Sequence, residues 1–262
     1  MFRVLRSTIV LVLTATFAAV AAMGSATIAV PPASRTAPAA TAWTAHLGEG
    51  DAVTAGVPIR VAGGASYAFS AVVAGKPVRW NPCAPIHWRA NVTRGPAGGL
   101  DVLTAAVAGI ASATGTQWVY DGPSATTPAT SALPTTPTAD KPVLIGWTDA
   151  AGSDLLRGRA ANVLGMTRTV WFGRTSTTET VAATRGAVIA LDRTDRLPLR
   201  GNASWSSVAL HELGHAMGLD HAQNSSQLMN AVLPNNLAGL QAGDRAGLRL
   251  LGSTQGCINL GA

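Results

Sequence analysis

Residues 211–221 of this 262-residue chain read HELGHAMGLDH, and the prediction of the fold begins from this stretch. On an α-helix, His211 and His215 are four residues apart, so their imidazoles project from one face at successive turns. Glu212 is rotated by about 100° from His211 and lies beside that face. Two imidazoles at this spacing can bind one zinc ion at about 2.0–2.1 Å.

The end of this helix is predicted at Gly218, because glycine readily adopts the left-handed conformation that closes many helices. The turn would bring His221 to the same metal as a third ligand. Three protein ligands leave one position of a tetrahedral zinc ion open for water, which is typical of catalytic sites. Glu212 would then reach that water without being a ligand. The alternative is an ordinary helix in which the histidines occur by chance. The chain has only five histidines, so three of them at this spacing within eleven residues favour a metal site.

The stretch HELGHAMGLDH resembles the HExxHxxGxxH zinc signature of metzincin metallopeptidases and is most similar to their matrixin branch. Metzincins also place a methionine turn beneath the zinc, and Met229 lies at a suitable distance past the third histidine. Residues 244–251 are similar to the C-terminal helix of matrixins. The resemblance implies Glu212 as the catalytic general base, Gly218 and Met229 as structural support of the site, and three metal ligands, His211, His215 and His221.

The chain departs from the family pattern near the third histidine. Ala222 stands where matrixins usually carry serine, and Ala231 stands where astacins and serralysins carry a tyrosine. A tyrosine ligand from the methionine turn is therefore not expected. The sequence has no Asp/Gly-rich loop that would indicate a structural calcium site. The resemblance implies one catalytic zinc ion as the cofactor, a peptide or protein as the substrate, and a monomer.

The resemblance also suggests where a substrate would lie. In the metzincin pattern an extended peptide binds beside an exposed sheet edge, for which residues 165–172 are the expected strand. Val208 resembles a matrixin side-chain pocket position, and Leu233 and Pro234 would form the outer wall of that pocket. Core packing is the alternative for all three pocket residues.

The N-terminal residues predict export. Residues 1–26 combine a basic start, an apolar run and small residues, as in a secretory signal peptide cleaved near residues 22–26. An uncleaved membrane anchor through residues 7–30 is the alternative, because this stretch is uncharged. Residues 27–66 are predicted to be a linker or short pro-segment. Residues 67–262 are assigned to the metzincin-like peptidase domain.

Cys83 and Cys257 are the only cysteines, and outside the cell they are predicted to form a disulfide. Closing so long a loop would stabilise the fold by about 5 kcal/mol in the chain-entropy model. The alternative is a Cys83 thiolate on the zinc, like the cysteine switch of matrixin zymogens. However, the sequence around Cys83 does not match the switch motif, and a core strand is predicted directly after it.

The pattern of apolar residues predicts an α+β fold of metzincin type. This fold has a mixed twisted sheet of about five strands, three main helices and an active-site cleft above the zinc helix. The strands are predicted at 86–92, 118–120, 143–147, 169–172 and 187–191, and the helices at 100–113, 204–217 and 241–251.

Charge and motif together narrow the function. The net charge of +6 is spread without basic runs or interleaved aromatics, so nucleic-acid binding is not expected. The features favour a secreted zinc endopeptidase in which a zinc-activated water cleaves peptide bonds with Glu212 as general base. The alternative is a secreted zinc-binding protein of peptidase fold with little or no catalysis, acting as a binding module. Glu212 favours the enzyme, since a scaffold has no need of that carboxylate.

Overall fold

The structure is a computed structural model, and the residues that it describes are 44–49, 53–54, 66–137, 141–176 and 179–259. The predicted signal peptide or anchor and much of the predicted linker lie outside the described residues. Where the chain is described, no helix is both long enough and apolar enough to cross a membrane.

The described chain forms three α-helices and eleven strands. In chain order these are β1 Thr44–Glu49, β2 Val53–Thr54, β3 Ala68–Phe69, β4 Val72–Val73, β5 Lys76–Pro77, β6 Ile86–Asn91, α1 Gly99–Thr114, β7 Trp118–Pro123, β8 Val143–Thr148, β9 Val163–Thr175, β10 Thr180–Asp192, α2 Trp205–Met217, β11 Leu219–Asp220 and α3 Ala242–Leu251.

One mixed sheet organises the described residues, with the strand order β1-β9-β10-β8-β6-β7 and with β2 beside β9. Strands β10, β8, β6 and β7 run parallel to one another, whereas β9 runs antiparallel to β10.

Five strands and three helices agree with the predicted α+β fold, and β1 and β2 are additional. Strands β9 and β10 extend beyond their predicted ends, because backbone pairing continues through polar residues that break the apolar pattern. Before β6, an isolated bridge joins Arg79 to Ala183 on β10.

The sheet is buried on both faces, which explains its nearly continuous apolar strands. On β10, Ile189 and Leu191 pack against the helices, whereas Val188 faces the opposite side. Helices α1 and α2 cover the first face. Loop residues that include Leu133 and Leu155 cover the second. The zinc helix predicted from the motif is therefore the inner helix of the larger core.

Helix α2 begins and ends as the sequence predicts. The Ser204 side chain caps its first turn by accepting a hydrogen bond from the Ser207 N–H. Gly218 ends it in the left-handed conformation, with φ 114°. A Cβ at Gly218 would lie 2.8 Å from the carbonyl oxygen of Val78, so the turn requires glycine. The chain then pairs as β11 with β3 and turns away from the helix axis.

The edge of the sheet differs from the expectation. Strand β1 pairs with β9 from Thr44 opposite Gly173 to Glu49 opposite Arg168, and β2 continues beside Gly165 and Val163. The expectation that residues 165–172 form an exposed edge is therefore wrong in this structure. Structure also begins before Tyr67, within the interval predicted as a linker or pro-segment. The short β1 segment lacks an apolar pattern that would have predicted a strand.

The predicted disulfide is present. Cys83 and Cys257 are bonded, with their Cα atoms 5.3 Å apart, and join the segment before β6 to the segment after α3. The thiol of Cys83 is thus consumed, which excludes it as a zinc-bound switch.

A buried carboxylate on α3 holds the loop below α2. Asp244 Oδ2 accepts hydrogen bonds from the N–H groups of Leu228 (2.8 Å) and Gln241 (2.7 Å), and Oδ1 accepts one from Met229 (3.1 Å). Burial raises the pKa of Asp244, while these three N–H groups act in the opposite direction. The backbone around Met229 is thereby attached to α3.

Substitution of Asp244 by asparagine should destabilise the fold. The amide group replaces one acceptor oxygen with an NH₂ group, so at least one buried backbone N–H loses its partner. We expect the free energy of unfolding to fall by about 1–3 kcal/mol, measured by urea denaturation. The matched control is Asp101→Asn at an exposed position in the first turn of α1, which should cost less than about 1 kcal/mol. Equal losses in the two variants would contradict this role of Asp244.

Candidate metal centre

The structure brings the three predicted histidines together. Nε2 of His211 lies 3.0 Å from Nε2 of His215 and 3.2 Å from Nε2 of His221, and the last two atoms are 3.3 Å apart. Two rings come from one face of α2, and the third returns after the turn at Gly218. Among the described residues, these three histidines are the side chains of metal-ligand type whose donor atoms converge. The atoms lie within 4.8 Å of one another, which is close enough to hold one metal ion.

Backbone carbonyls orient two of the rings. Nδ1 of His211 lies 2.7 Å from the carbonyl oxygen of Leu228, and Nδ1 of His215 lies 2.9 Å from that of Leu219. A carbonyl oxygen can only accept a hydrogen bond, so each Nδ1 carries the proton. The lone pair of each Nε2 therefore points toward the common centre, as in imidazoles that bind metals.

Burial disfavours the charged forms of His211 and His221. Burial, and then the neighbouring His215 and His221, hold the pKa of His211 well below 6.5. Burial also lowers the pKa of His221, to about 4. Because only a neutral imidazole offers a lone pair, the two rings are ready to bind a metal at neutral pH without first losing a proton.

Glu212 lies against β9 and is fully buried. The Thr167 hydroxyl is 2.6 Å from Glu212 Oε2 and 3.0 Å from the main-chain oxygen of Glu212. The hydroxyl has one proton, and the carboxylate is its stronger acceptor. At Gly165 an added Cβ would lie 2.9 Å from Glu212 Oε1, so only glycine leaves room for the carboxylate. Strand β9 thus shapes the pocket that holds Glu212.

Met229 packs against α2 at Gly214. Its side chain is fully buried, and its thioether occupies the space that a Cβ at Gly214 would need. The Met229 carbonyl accepts a hydrogen bond from the Ala222 N–H at 2.8 Å, and the Asn230 amide donates to the Ala222 carbonyl at 3.1 Å. These bonds place the segment after His221 beside the methionine.

The three predicted pocket residues are also located. Val208, Leu233 and Pro234 are all buried, and Val208 and Leu233 belong to the large core between the sheet and the helices. Their packing fits the core alternative, and their contact with a substrate side chain stays a prediction.

Two features of the site were not predicted from sequence. Thr167 has no motif of its own, and small and polar residues recur along β9, so no signal in the sequence distinguishes it. Asp244 belonged to the matrixin-like C-terminal pattern, but its bonds to the segment around Met229 depend on how α3 packs.

Comparison with known families supports the resemblance. Residues 144–251 match the family model described as matrixin, Peptidase_M10. A search of curated proteins found no match to the chain. The matched interval runs from β8 through α3 and includes the three histidines, Glu212 and Met229. The family is one of zinc metallopeptidase-type domains. The match supports a matrixin-like metzincin catalytic domain over these residues.

Proposed function

We propose that this protein is a secreted zinc endopeptidase. The observation that carries the proposal is the convergence of three Nε2 atoms beside a buried carboxylate. His211, His215 and His221 would hold the metal, and Glu212 would act on water at the open position. The matrixin match favours the same chemistry.

The donor set fits zinc. Three nitrogen ligands on a tetrahedral ion, each at about 2.0–2.1 Å, are separated from one another by about 3.3 Å. The three Nε2 atoms are 3.0–3.3 Å apart. Neutral imidazoles are also ligands that zinc prefers, and three of them leave a fourth position for water or substrate.

The chain's own residues supply the proton transfers. A bound zinc ion would lower the pKa of its water toward about 7 and polarise the scissile carbonyl. The Glu212 carboxylate takes the proton from the attacking water and later delivers it to the leaving amide nitrogen. No acyl-enzyme forms, because the nucleophile is water.

Thr167 is a positioning residue in this scheme. Its hydroxyl holds one oxygen of Glu212, and Gly165 keeps the neighbouring space open. A hydrogen bond to the ionised carboxylate favours that form, which is the form a general base needs.

Secretion is supported by two independent features. The basic and apolar N-terminal pattern predicts an export signal. The Cys83–Cys257 disulfide fits an oxidising compartment outside the cytosol.

Replacement of Glu212 by glutamine should separate metal binding from catalysis. The amide cannot accept a proton, so hydrolysis of a mixed peptide library by the secreted, processed protein should fall by about 10²–10⁴-fold. Zinc content, measured by elemental analysis, should stay near that of the unchanged protein. His215→Gln is the matched control and should lose both zinc and activity, as should treatment with a chelator.

Two outcomes would contradict the proposal. Unchanged hydrolysis by Glu212→Gln would rule out this mechanism. Zinc bound by a processed protein that cleaves no member of the library would favour the binding-module alternative.

Replacement of Thr167 by valine should weaken the general base, because valine has nearly the same shape as threonine but lacks the hydroxyl. Loss of one hydrogen bond to a charged acceptor should lower kcat/KM by about tenfold. Thr167→Ser keeps the hydroxyl and should restore the rate. Equal losses in the valine and serine variants would contradict a role of the hydroxyl.

A further inference from the structure

We propose that a cavity beside the first residues of β10 is an accessory site that binds the carboxyl terminus of a peptide. The cavity has a volume of about 300 Å³ and lies between the β4–β5 hairpin, the start of β10 and the segment that follows α3. This volume is at the lower end of the range for pockets that bind small ligands. The inference goes beyond the proposed function, because the cavity is separate from the metal centre.

The register of β9 and β10 places the cavity far from Glu212. Ala182, which lines the cavity, is opposite Gly173 of β9. Gly165, which lies against the Glu212 carboxylate, precedes Gly173 by eight positions on the same strand. Eight positions correspond to about 25 Å along a strand. A ligand in the cavity is therefore not placed for cleavage.

Two cationic side chains line the cavity, the half-buried Arg79 and the exposed Lys76. Nη2 of Arg79 donates hydrogen bonds to the carbonyl oxygens of Gln255 (3.0 Å) and Gly256 (2.9 Å). Nη1 donates to the carbonyl oxygen of Trp80 at 3.4 Å. Because a guanidinium has five N–H donors, at least two remain after these bonds.

The charge of Arg79 has no carboxylate partner among the described residues. Burial lowers the pKa of Arg79, and no neighbouring anion opposes this shift. Partial burial of a charge that is bonded only to neutral carbonyl groups is unfavourable. A carboxylate in the cavity would compensate the charge through charge-assisted hydrogen bonds, for which the guanidinium is suited.

The lining also contains one anionic side chain, Glu179. It is exposed, so water weakens its effect on a ligand. Within the described chain it forms no ion pair with either cation. Two positive charges therefore face one negative charge, and the balance favours an anionic ligand.

The edge of β10 offers a main-chain donor to the same ligand. The Thr184 N–H donates to the Arg79 carbonyl at 3.0 Å, on the side of β10 that faces away from β9. Successive N–H groups of a strand alternate sides, so the Ala182 N–H points to this side as well. It has no hydrogen-bond partner in the described part of the chain. Unpaired main-chain groups of this kind bind extended peptides in many proteins.

Apolar side chains complete the wall of the cavity, among them Val73, Leu250 and Ile258. The cations select a carboxylate, the edge of β10 selects a peptide backbone, and the apolar wall selects a side chain beside the carboxylate. The last residue of a peptide offers all three groups, whereas an inorganic anion offers only the charge. The combination therefore favours a peptide carboxyl terminus.

The test is an NMR titration of the isotopically labelled full chain in the Glu212→Gln background, so that the probes stay intact. The probe is an N-acetylated tripeptide of two alanines and a leucine with a free carboxylate, and its C-terminal amide is the matched control. We expect the acid to bind with a dissociation constant of about 1 mM or lower and to shift the amide resonance of Ala182. The amide form should bind at least about tenfold more weakly, because it lacks the charge.

Three substitutions test the charges of the cavity. Lys76→Gln should weaken binding of the acid by about two- to fivefold, and Glu179→Gln should strengthen it by a similar factor. Lys141→Gln is the matched control, since it removes the same charge at a position outside the cavity and should leave the affinity unchanged. These substitutions leave Arg79 in place, because Arg79 also holds the segment that follows α3.

The outcomes decide the assignment. Preference for the acid over the amide, with opposite responses to Lys76→Gln and Glu179→Gln, would support the site. Absence of binding at about 10 mM acid, equal binding of acid and amide, or unchanged affinity in both cavity variants would overturn it. Inorganic phosphate is the second probe, and binding as tight as that of the acid would overturn the assignment to a peptide. The readout is binding alone, so failure of this site would leave the peptidase proposal standing.

Discussion

Three imidazole nitrogens must point at one centre, and much of the structure around α2 serves this constraint. Two of them lie on one helical face, but their directions depend on carbonyl groups outside the helix. The Leu228 and Leu219 carbonyls hold His211 and His215. Those carbonyls lie on the segment that follows Gly218, so the turn orients the rings as well as returning the chain to the metal site. Asp244 then anchors the same segment to α3. A single path of hydrogen bonds thus runs from the last helix to the metal centre.

Strand β9 has two functions that meet at the site. One is to form the wall behind Glu212, where Gly165 provides space and Thr167 provides a hydrogen bond. The other is to offer its outer edge to an extended backbone, which β1 and β2 occupy in this structure. In the proposed endopeptidase, a peptide paired with β9 would be placed relative to the carboxylate by the same strand that holds Glu212. Recognition of the peptide backbone and placement of the bond to be cut would then depend on one element.

Prediction from sequence succeeded where the physical signal is local. The α2 boundaries follow from a serine cap and a glycine stop, and the three histidines follow from helical spacing plus one turn. The buried strands follow from their apolar runs. Prediction failed for β1, whose residues are not apolar enough to indicate a strand and whose stability comes from pairing with β9. It missed Thr167 for a similar reason, since a hydroxyl in a strand has no meaning until a helix carboxylate lies opposite it.

The sequence by itself determined the set of candidate metal-binding side chains, the presence of a carboxylate beside them and the fold class, because spacing along a helix and periodicity along strands are local properties of the chain. Only the tertiary structure decided which ring nitrogens face the centre, which hydroxyl holds Glu212 and which segment covers the edge of β9. Those choices depend on contacts between residues far apart in sequence, such as Thr167 with Glu212 and His46 with Trp171. Such contacts arise from packing and backbone pairing, which no short stretch of sequence specifies.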